Sequence, residues 1–385
     1  MRSKENDAVC DLTGMCQVVT DANRQAGTLK NPDMSTDGAV FWLFSGIIPL
    51  SSFSPKSSPP PMNNFLLPPL QFEDFFSQYF LPQVEPVGQG VHGPTFLCCP
   101  SQEPFNSCVV KIARYSPTSE HALQLHGQAL QLGEIIDIKA IFINMLSSGS
   151  PFLALNPKLS EGQHFLIVLP YKEGGDLLMR FFRGPIPNSE VVYIFRQVVR
   201  AVAQLHALDI AHGDLKLENV VREENAAQTR VFLIDFDFAH SFTETAICPG
   251  TWLYTSPEMI YNLLQKERGE ASVAPGGEAP VAPGGAADVW ALGVMLYIML
   301  TRKSPFPLDN AIPNENGGLP CLHFITSVLE GAFNKRHLAA LPSLAQDLVE
   351  GMLNPHPERR LTARQVLDHE FLADSDAPML LMYSI

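Results

Sequence analysis

The chain has 385 residues, 46% of them hydrophobic, and a net charge of −14; that is enough to bury a sizeable core and, by length, to form two or three folding units. The acidic balance argues against a general nucleic-acid binder, because phosphate backbones select clustered Lys and Arg. Seven cysteines, odd in number and without a CxxC pair, argue against a disulfide framework or a cysteine metal site and suit a reducing, intracellular, cytoplasmic setting.

Along the chain, residues 1–70 show no sustained periodicity and read as a disordered, low-complexity tail. The opening MRSKENDAVCDLTG is too polar for a signal peptide. The apolar run from Ala39 to Leu50 is too short for a bilayer and contains Gly46 and Pro49, so no transmembrane segment is expected. The Ser- and Pro-rich stretch Ser51–Pro61 suits a linker. The texture changes near Phe72. FEDFFSQYF (72–80) reads as a helix, followed by strands around TFLCC, SCVVKIAR and HFLIVLPY. After Gly175 the period becomes helical. Ser189–Leu208 is predicted as a helix with Ser189 as N-cap and Glu190 in its first turn. Val289–Leu300 is almost wholly apolar, so it should be buried all round. LAQDLVEGML and TARQVLDHEFL read as two amphipathic helices. Ala271–Ala287 contains VAPGG twice and reads as a flexible insertion, since such a composition cannot pack a core. Strands first and helices later describe an α+β unit over 75–372, with a small, mainly β lobe (75–169) and a larger helical lobe (173–372), then a tail, 373–385.

Several short stretches carry chemistry. Val87–Gly93 holds Gly88, Gly90 and Gly93 as GxGxxG. Glycines let a backbone fold over phosphates with its N–H groups turned inward. A strand follows rather than a helix, which favours a hairpin over a dinucleotide fold. Lys111 sits in the apolar strand CVVKIAR, where a lysine is costly to bury unless paired. AHGDLKLENVV gathers His212, Asp214, Lys216 and Asn219 in one loop. Phosphoryl transfer needs a carboxylate near the acceptor hydroxyl, a cation near the moving group and an oxygen ligand for magnesium. Asp214, Lys216 and Asn219 are residue types for these three tasks. VFLIDFDFA ends an apolar strand on Asp235, a second magnesium ligand.

Taken in order, these stretches resemble the eukaryotic-type protein kinase family over nearly all of 85–372. The resemblance implies a bilobal fold, ATP and Mg2+ as cofactors, and protein substrates. It casts Val87, Gly88, Gly90 and Gly93 as the glycine loop over ATP and Lys111 as the lysine on the α- and β-phosphates. Asp214 becomes the catalytic base, with Lys216 beside it, and Asn219 and Asp235 become the metal ligands. GTWLYTSPE (Gly250–Glu258) resembles the end of an activation segment, Asp288 the anchor of the catalytic loop, and Arg360 the partner of Glu258. Leu169 stands as gatekeeper and Pro170–Lys172 as the hinge, where Lys172 offers its backbone N–H to adenine. Val109 and Val221 sandwich the base, and Asp176 reaches the ribose. Lys216 and Thr251 match serine/threonine kinases. GGDL at Gly174–Leu177 leans weakly toward calmodulin-dependent or energy-sensing kinases. Asp176 and Glu218 match carboxylates that face a substrate arginine, so a mild preference for basic residues before the acceptor is expected.

The chain also departs from the pattern. Gly213 replaces the arginine of HRD, which suggests that the activation segment needs no phosphate to be ordered. Asp237 replaces the glycine of DFG and adds a carboxylate near the metal site. Pro94, Thr95 and His92 are unusual around the glycine loop. Glu134 is the best candidate for the helix glutamate that pairs with Lys111, and Gln128 the alternative. These departures keep a pseudokinase, a scaffold or nucleotide-binding module without turnover, open as the alternative. A small-molecule kinase is argued against by the GTxxYxxPE segment.

Overall fold

The computed structural model describes residues 79–80, 88–89, 94–100, 107–130, 132–136, 140–146, 161–224, 229–244, 251–267, 284–307 and 320–373. The expected tails (1–70 and 373–385), apart from Ala373, and most of the insertion lie outside them.

The first lobe is an antiparallel sheet. Its strands are β1 (Tyr79–Phe80), β2 (Gly88–Gln89), β3 (Pro94–Pro100), β4 (Cys108–Arg114), β5 (Ala140–Leu146) and β6 (Gly162–Pro170), in the order β1-β3-β4-β6-β5 with β2 also on β3. β4 and β6 run through the middle, with Lys111 opposite Ile167 and Val109 opposite Leu169. Val110, Ile112, Leu166 and Val168 are buried, as apolar β-branched and leucine residues in central strands should be. The expected helix over 72–80 is corrected at its end, where Tyr79 and Phe80 pair with Pro100 and Cys99. Both aromatics suit a strand edge, and a sheet partner decides between the two periods.

Helix α1 (Pro117–Ala129) lies after β4. Ser116 and Ser119 form a reciprocal cap at its start, with proline in its first turn. The chain then leaves the sheet through Pro170 into the second lobe. That lobe holds α2 (Leu177–Phe182), α3 (Asn188–His206), β7 (Ile210–Ala211), β8 (Val220–Glu224), β9 (Thr229–Leu233), β10 (His240–Ser241), α4 (Pro257–Glu267), α5 (Ala286–Thr301), α6 (Leu322–Leu329), α7 (Ser343–Met352), α8 (Ala363–Leu367) and α9 (Glu370–Ala373). Sheet first and helices later is the α+β, two-lobed arrangement expected.

The large core sits around α3 and α5. α3 buries Val191, Ile194, Phe195, Val198, Val199, Val202 and Leu205, one face at helical spacing. α5 is buried at every position from Asp288 to Met299, as its composition requires. A Cβ on its Gly293 would come within 2.9 Å of Met352 and Leu353, so glycine lets α7 approach closely. Boundaries differ from the sequence reading in three places. α3 starts at Asn188 after Pro187, so Ser189 is helical rather than the N-cap. TARQVLDHEFL is two short helices capped by Thr362 and interrupted before Glu370. The insertion expected to run to Ala287 ends earlier, because Gly285 caps α5 and Ala286 is its first residue.

Candidate active site

The loop after β7 is built on α5. Asp288, in the first turn of that helix, is 2% exposed. Its carboxylate accepts from the backbone N–H of His212 (2.8 Å) and of Gly213 (3.0 Å) and contacts His206 Nε2 at 3.0 Å. Burial pushes its pKa up, yet these partners hold it below the ordinary carboxylate value. One buried carboxylate thus fixes two consecutive peptides. Gly213 has φ +79°, and a Cβ there would meet the Phe238 carbonyl at 2.3 Å. The arginine expected by resemblance is therefore absent for a local reason: the backbone turns left-handed against the neighbouring segment.

Asp214 is the hub of the site, 5% exposed. Lys216 Nζ lies 2.7 Å from its Oδ2 and also donates to Thr251 Oγ1 at 2.8 Å. Thr251 donates to Asp214 Oδ1 through its N–H (2.9 Å) and its hydroxyl (3.1 Å). Asn219 Nδ2 donates to the Asp214 carbonyl at 2.8 Å and to its Oδ2 at 3.1 Å. The three residues expected at the chemical centre are thus brought together. Thr251, singled out in the sequence only for specificity, is a fourth member. A cavity of about 470 Å³ opens beside this loop, lined by Asp214, Thr251, Asp237, His121 and Glu244 among others.

Lys111 approaches from β4 and is 7% exposed. Its ammonium lies 2.5 Å from Asp235 Oδ1 and 2.5 Å from Asp237 Oδ1. Burial alone would lower the lysine pKa, but the two carboxylates outweigh it and raise it. Burial would raise that of Asp235, and Lys111 brings it down to about 2. Asp235 adopts φ +65°, which Asp tolerates better than most residues. Phe236, between them, is buried and stacked on His126 of α1 (centroids 4.3 Å apart, 12° between planes) and tilted against His212 (4.8 Å). His126 Nε2 meets the Ile136 carbonyl at 2.9 Å. A column of rings thus ties α1 to the catalytic loop.

Glu134 does not pair with Lys111. It follows α1, its backbone carbonyl accepts from Leu233, and its carboxylate lies 3.7 Å from Arg200. Gln128, the alternative, does not line the lysine's pocket, which α1 supplies with Ser119, Ala122, Leu123 and His126. Asp176 has a structural task of its own: it is 6% exposed, and Oδ1 accepts from the Met179 N–H at 2.7 Å as the N-cap of α2. In Glu218, the other carboxylate expected to face a substrate arginine, Oε2 is buried without a hydrogen-bond partner, and burial raises the pKa to about 7.

Gly88 pairs with Thr95, while Val87, Gly90 and Gly93 lie outside the described residues. Pro170 ends β6 opposite Cys108. Lys172 follows, its Nζ on Glu223 (2.8 Å) and over the Phe232 ring (4.0 Å), and its carbonyl accepts from the Gly175 N–H at 3.2 Å. Val109 and Val221 are each half-buried. Behind the catalytic loop, Arg360 and Glu258 form a buried two-pronged pair at 2.7 and 2.9 Å, as the resemblance implied.

The oxygen donors at Asn219 and Asp235 suit a hard divalent cation. Among the described residues no group of three or more His, Cys, Asp and Glu could hold a metal by itself. No helix of the described residues is long and apolar enough to cross a membrane.

Comparison with known proteins agrees with this geometry. The family described as protein kinase domain matches residues 82–372. Human MAP kinase-activated protein kinase 5 is 26% identical over 309 residues, covering 78% of this chain and 62% of that protein. Calcium-dependent protein kinase 21 of Oryza sativa subsp. japonica is 32% identical over 219 residues, 54% of this chain and 33% of that protein. The serine/threonine-protein kinase GIN4 of Saccharomyces cerevisiae is 31% identical over 210 residues, 54% of this chain and 16% of that protein. The chain therefore spans less than two thirds of each of these relatives. With a match over most of its length and the motifs assembled in one cleft, the chain belongs to the protein kinase family.

Proposed function

We propose that this protein transfers the γ-phosphoryl group of ATP to a serine or threonine hydroxyl of a protein. The observation that carries the reading is the hub at Asp214, whose two oxygens are held by Lys216 and Thr251 while Asn219 braces its backbone. In this reading Asp214 accepts the proton of the incoming hydroxyl. Lys216, 2.7 Å away, supplies positive charge beside the group in transfer. Asn219 and Asp235 would hold magnesium, which when bound neutralises phosphate charge. Lys111 contacts the α- and β-phosphates, Val109 and Val221 flank the adenine, and the Lys172 backbone meets its edge. Glu218, with Oε2 buried and making no hydrogen bond, supports a mild preference for basic residues before the acceptor. An unenriched or acidic set from a peptide library removes that preference.

The alternative is a pseudokinase that binds nucleotide or scaffolds partners. It draws on Gly213 and on a Lys111 that has no carboxylate from α1. Turnover separates the two. Transfer from γ-labelled ATP to a basic protein is expected with Mg2+, and Asp214→Asn should lower it ~10²–10⁴-fold, the usual worth of a positioned base. Phosphate should appear on serine or threonine. No transfer above that variant with Mg2+ or Mn2+ sinks the enzyme reading.

A further inference from the structure

The ammonium of Lys111 is buried, and a buried ammonium must be paired. In the family's pattern the pair comes from the helix above. Here α1 has nothing to offer. Its acidic residue, Glu120, bonds the Tyr115 hydroxyl at 2.9 Å, and the side chains it turns to the lysine's pocket are Ser119, Ala122, Leu123 and His126. The carboxylates arrive from the loop after β9 instead. Asp235 is one, and it is also the expected metal ligand. The other is Asp237, where the family's motif has glycine. Phe236, wedged between His126 and His212, fixes the peptide from which Asp237 springs.

We propose that Asp237 is the positioning residue of the phosphate-gripping lysine. The carboxylate that the family carries on the helix has moved onto the metal loop, and the DFD sequence is that move. Asp235 is then released to metal and nucleotide while Asp237 stays on Lys111. The lysine is held whenever Phe236 is seated, independently of any charge on α1.

This inference rests on the reading of the cleft as a nucleotide site, and its test reads binding apart from turnover. Affinities for Mg-ATP, metal-free ATP and adenosine would be measured with the full chain and three variants. These are Asp237→Asn, Asp237→Gly and the double substitution Ala122→Glu with Asp237→Gly. Melting temperature would be followed throughout. Asp237→Asn keeps the shape and removes the charge, so it carries the test if glycine loosens the loop. Both single variants are expected to bind Mg-ATP and metal-free ATP about tenfold more weakly, with adenosine within about twofold of the parent. A metal-ligand role for Asp237 would spare metal-free ATP. The double variant should recover most of the loss, because residue 122 lines the same pocket. The proposal is overturned by unchanged ATP affinity in both single variants, by adenosine binding lost in parallel, or by a double variant no better than Asp237→Gly. The expected affinity pattern without wild-type turnover would sink the transfer reading and leave the pairing standing. Turnover untouched by Asp237→Asn would do the reverse.

Discussion

The two walls of the cleft place their charges over very different distances along the chain. Around Asp214 the partners Lys216 and Asn219 lie 2 and 5 residues away on the same loop, pinned to α5 by Asp288, and Thr251 lies 37 residues away. Around Lys111 the partners lie 124 and 126 residues away, across the junction of the lobes. A site assembled locally keeps its geometry as long as one loop and one helix persist. A site assembled across lobes can exchange one partner for another, as long as a carboxylate still reaches the ammonium. Apart from Gly213, the family pattern holds on the first wall; on the second it is rearranged.

The largest expected effect comes from breaking the support behind the first wall. Arg360 and Glu258 are both buried, with side chains 0% and 4% exposed, and Arg360 also donates to the Ala286 carbonyl at 2.7 Å. Arg360→Leu leaves a buried carboxylate unpaired and should lower stability by ~3–5 kcal/mol. Urea unfolding checks this, and a loss below about 1 kcal/mol would mean that the pair is not a structural tie. The double substitution with Glu258→Leu should recover part of the loss.

How much of this was legible in the sequence follows from the same contrast. Asp214, Lys216 and Asn219 are adjacent in one motif, so their convergence could be read directly. The helical period of α3 and the all-apolar α5 announced their packing. The Lys111 partner could not be read in that way. Glu134 was the best candidate although it lies further along the chain from Lys111 than the family's spacing, and only the fold shows it turned to Arg200. The replacement of a glycine by Asp237 was visible in the sequence; that its carboxylate reaches Lys111 in place of one from α1 is a fact of three dimensions. The cap made by Asp176 was missed although its signal is local, since an Asp before LLM is a good N-cap. The short strand at Tyr79 was hidden because an edge strand of two residues has no period to detect.

His126 sharpens the comparison, since its ring belongs to the junction between the walls. It is 6% exposed, and burial, with Lys111 and His212 nearby, lowers its pKa to about 4 against a backbone bond to Ile136 and the charge of Asp235. Above pH 6.5 the ring is neutral folded and unfolded, so it contributes no pH dependence. Between about 6.5 and 4 the unfolded chain takes up a proton that the folded chain refuses. Stability should fall there by up to ~1.4 kcal/mol per pH unit, ~3 kcal/mol in total, and level off below. His126→Phe keeps a ring against Phe236 and removes the titration. The difference between parent and variant in unfolding free energy from pH 7.5 to 4.5 is the measurement. Parallel curves would place this proton elsewhere.

Gly213 tests whether the first wall tolerates the family's own residue. Restoring the arginine by Gly213→Arg should not improve the enzyme. The left-handed backbone alone costs ~1–2 kcal/mol for a residue with a Cβ, and the Phe238 carbonyl stands 2.3 Å from where that Cβ would be. Reduced melting temperature and reduced turnover are expected together. A variant that is as stable as the parent and more active would show that the backbone can turn away.

The smallest effect belongs to the link between α1 and the segment after β10. His121 Nε2 lies 2.9 Å from Glu244 Oε1, with both side chains 42% exposed, and Glu244 Oε2 accepts from the Ser241 N–H at 2.7 Å. A polar contact so open to solvent contributes under ~1 kcal/mol. Glu244→Gln should therefore change turnover by no more than about threefold, the equivalent of ~0.6 kcal/mol. The reason goes beyond exposure. If Lys111 is held by the metal loop, loosening α1 leaves the lysine where it was. In the double variant with glutamate at 122 and glycine at 237, the lysine would hang from α1, and the same Glu244→Gln change should then lower turnover by more than in the parent. Equal effects in the two backgrounds would show that α1 and the lysine are uncoupled in both, or coupled in both, and would remove the distinction drawn here between a lysine held from the helix and one held from the loop.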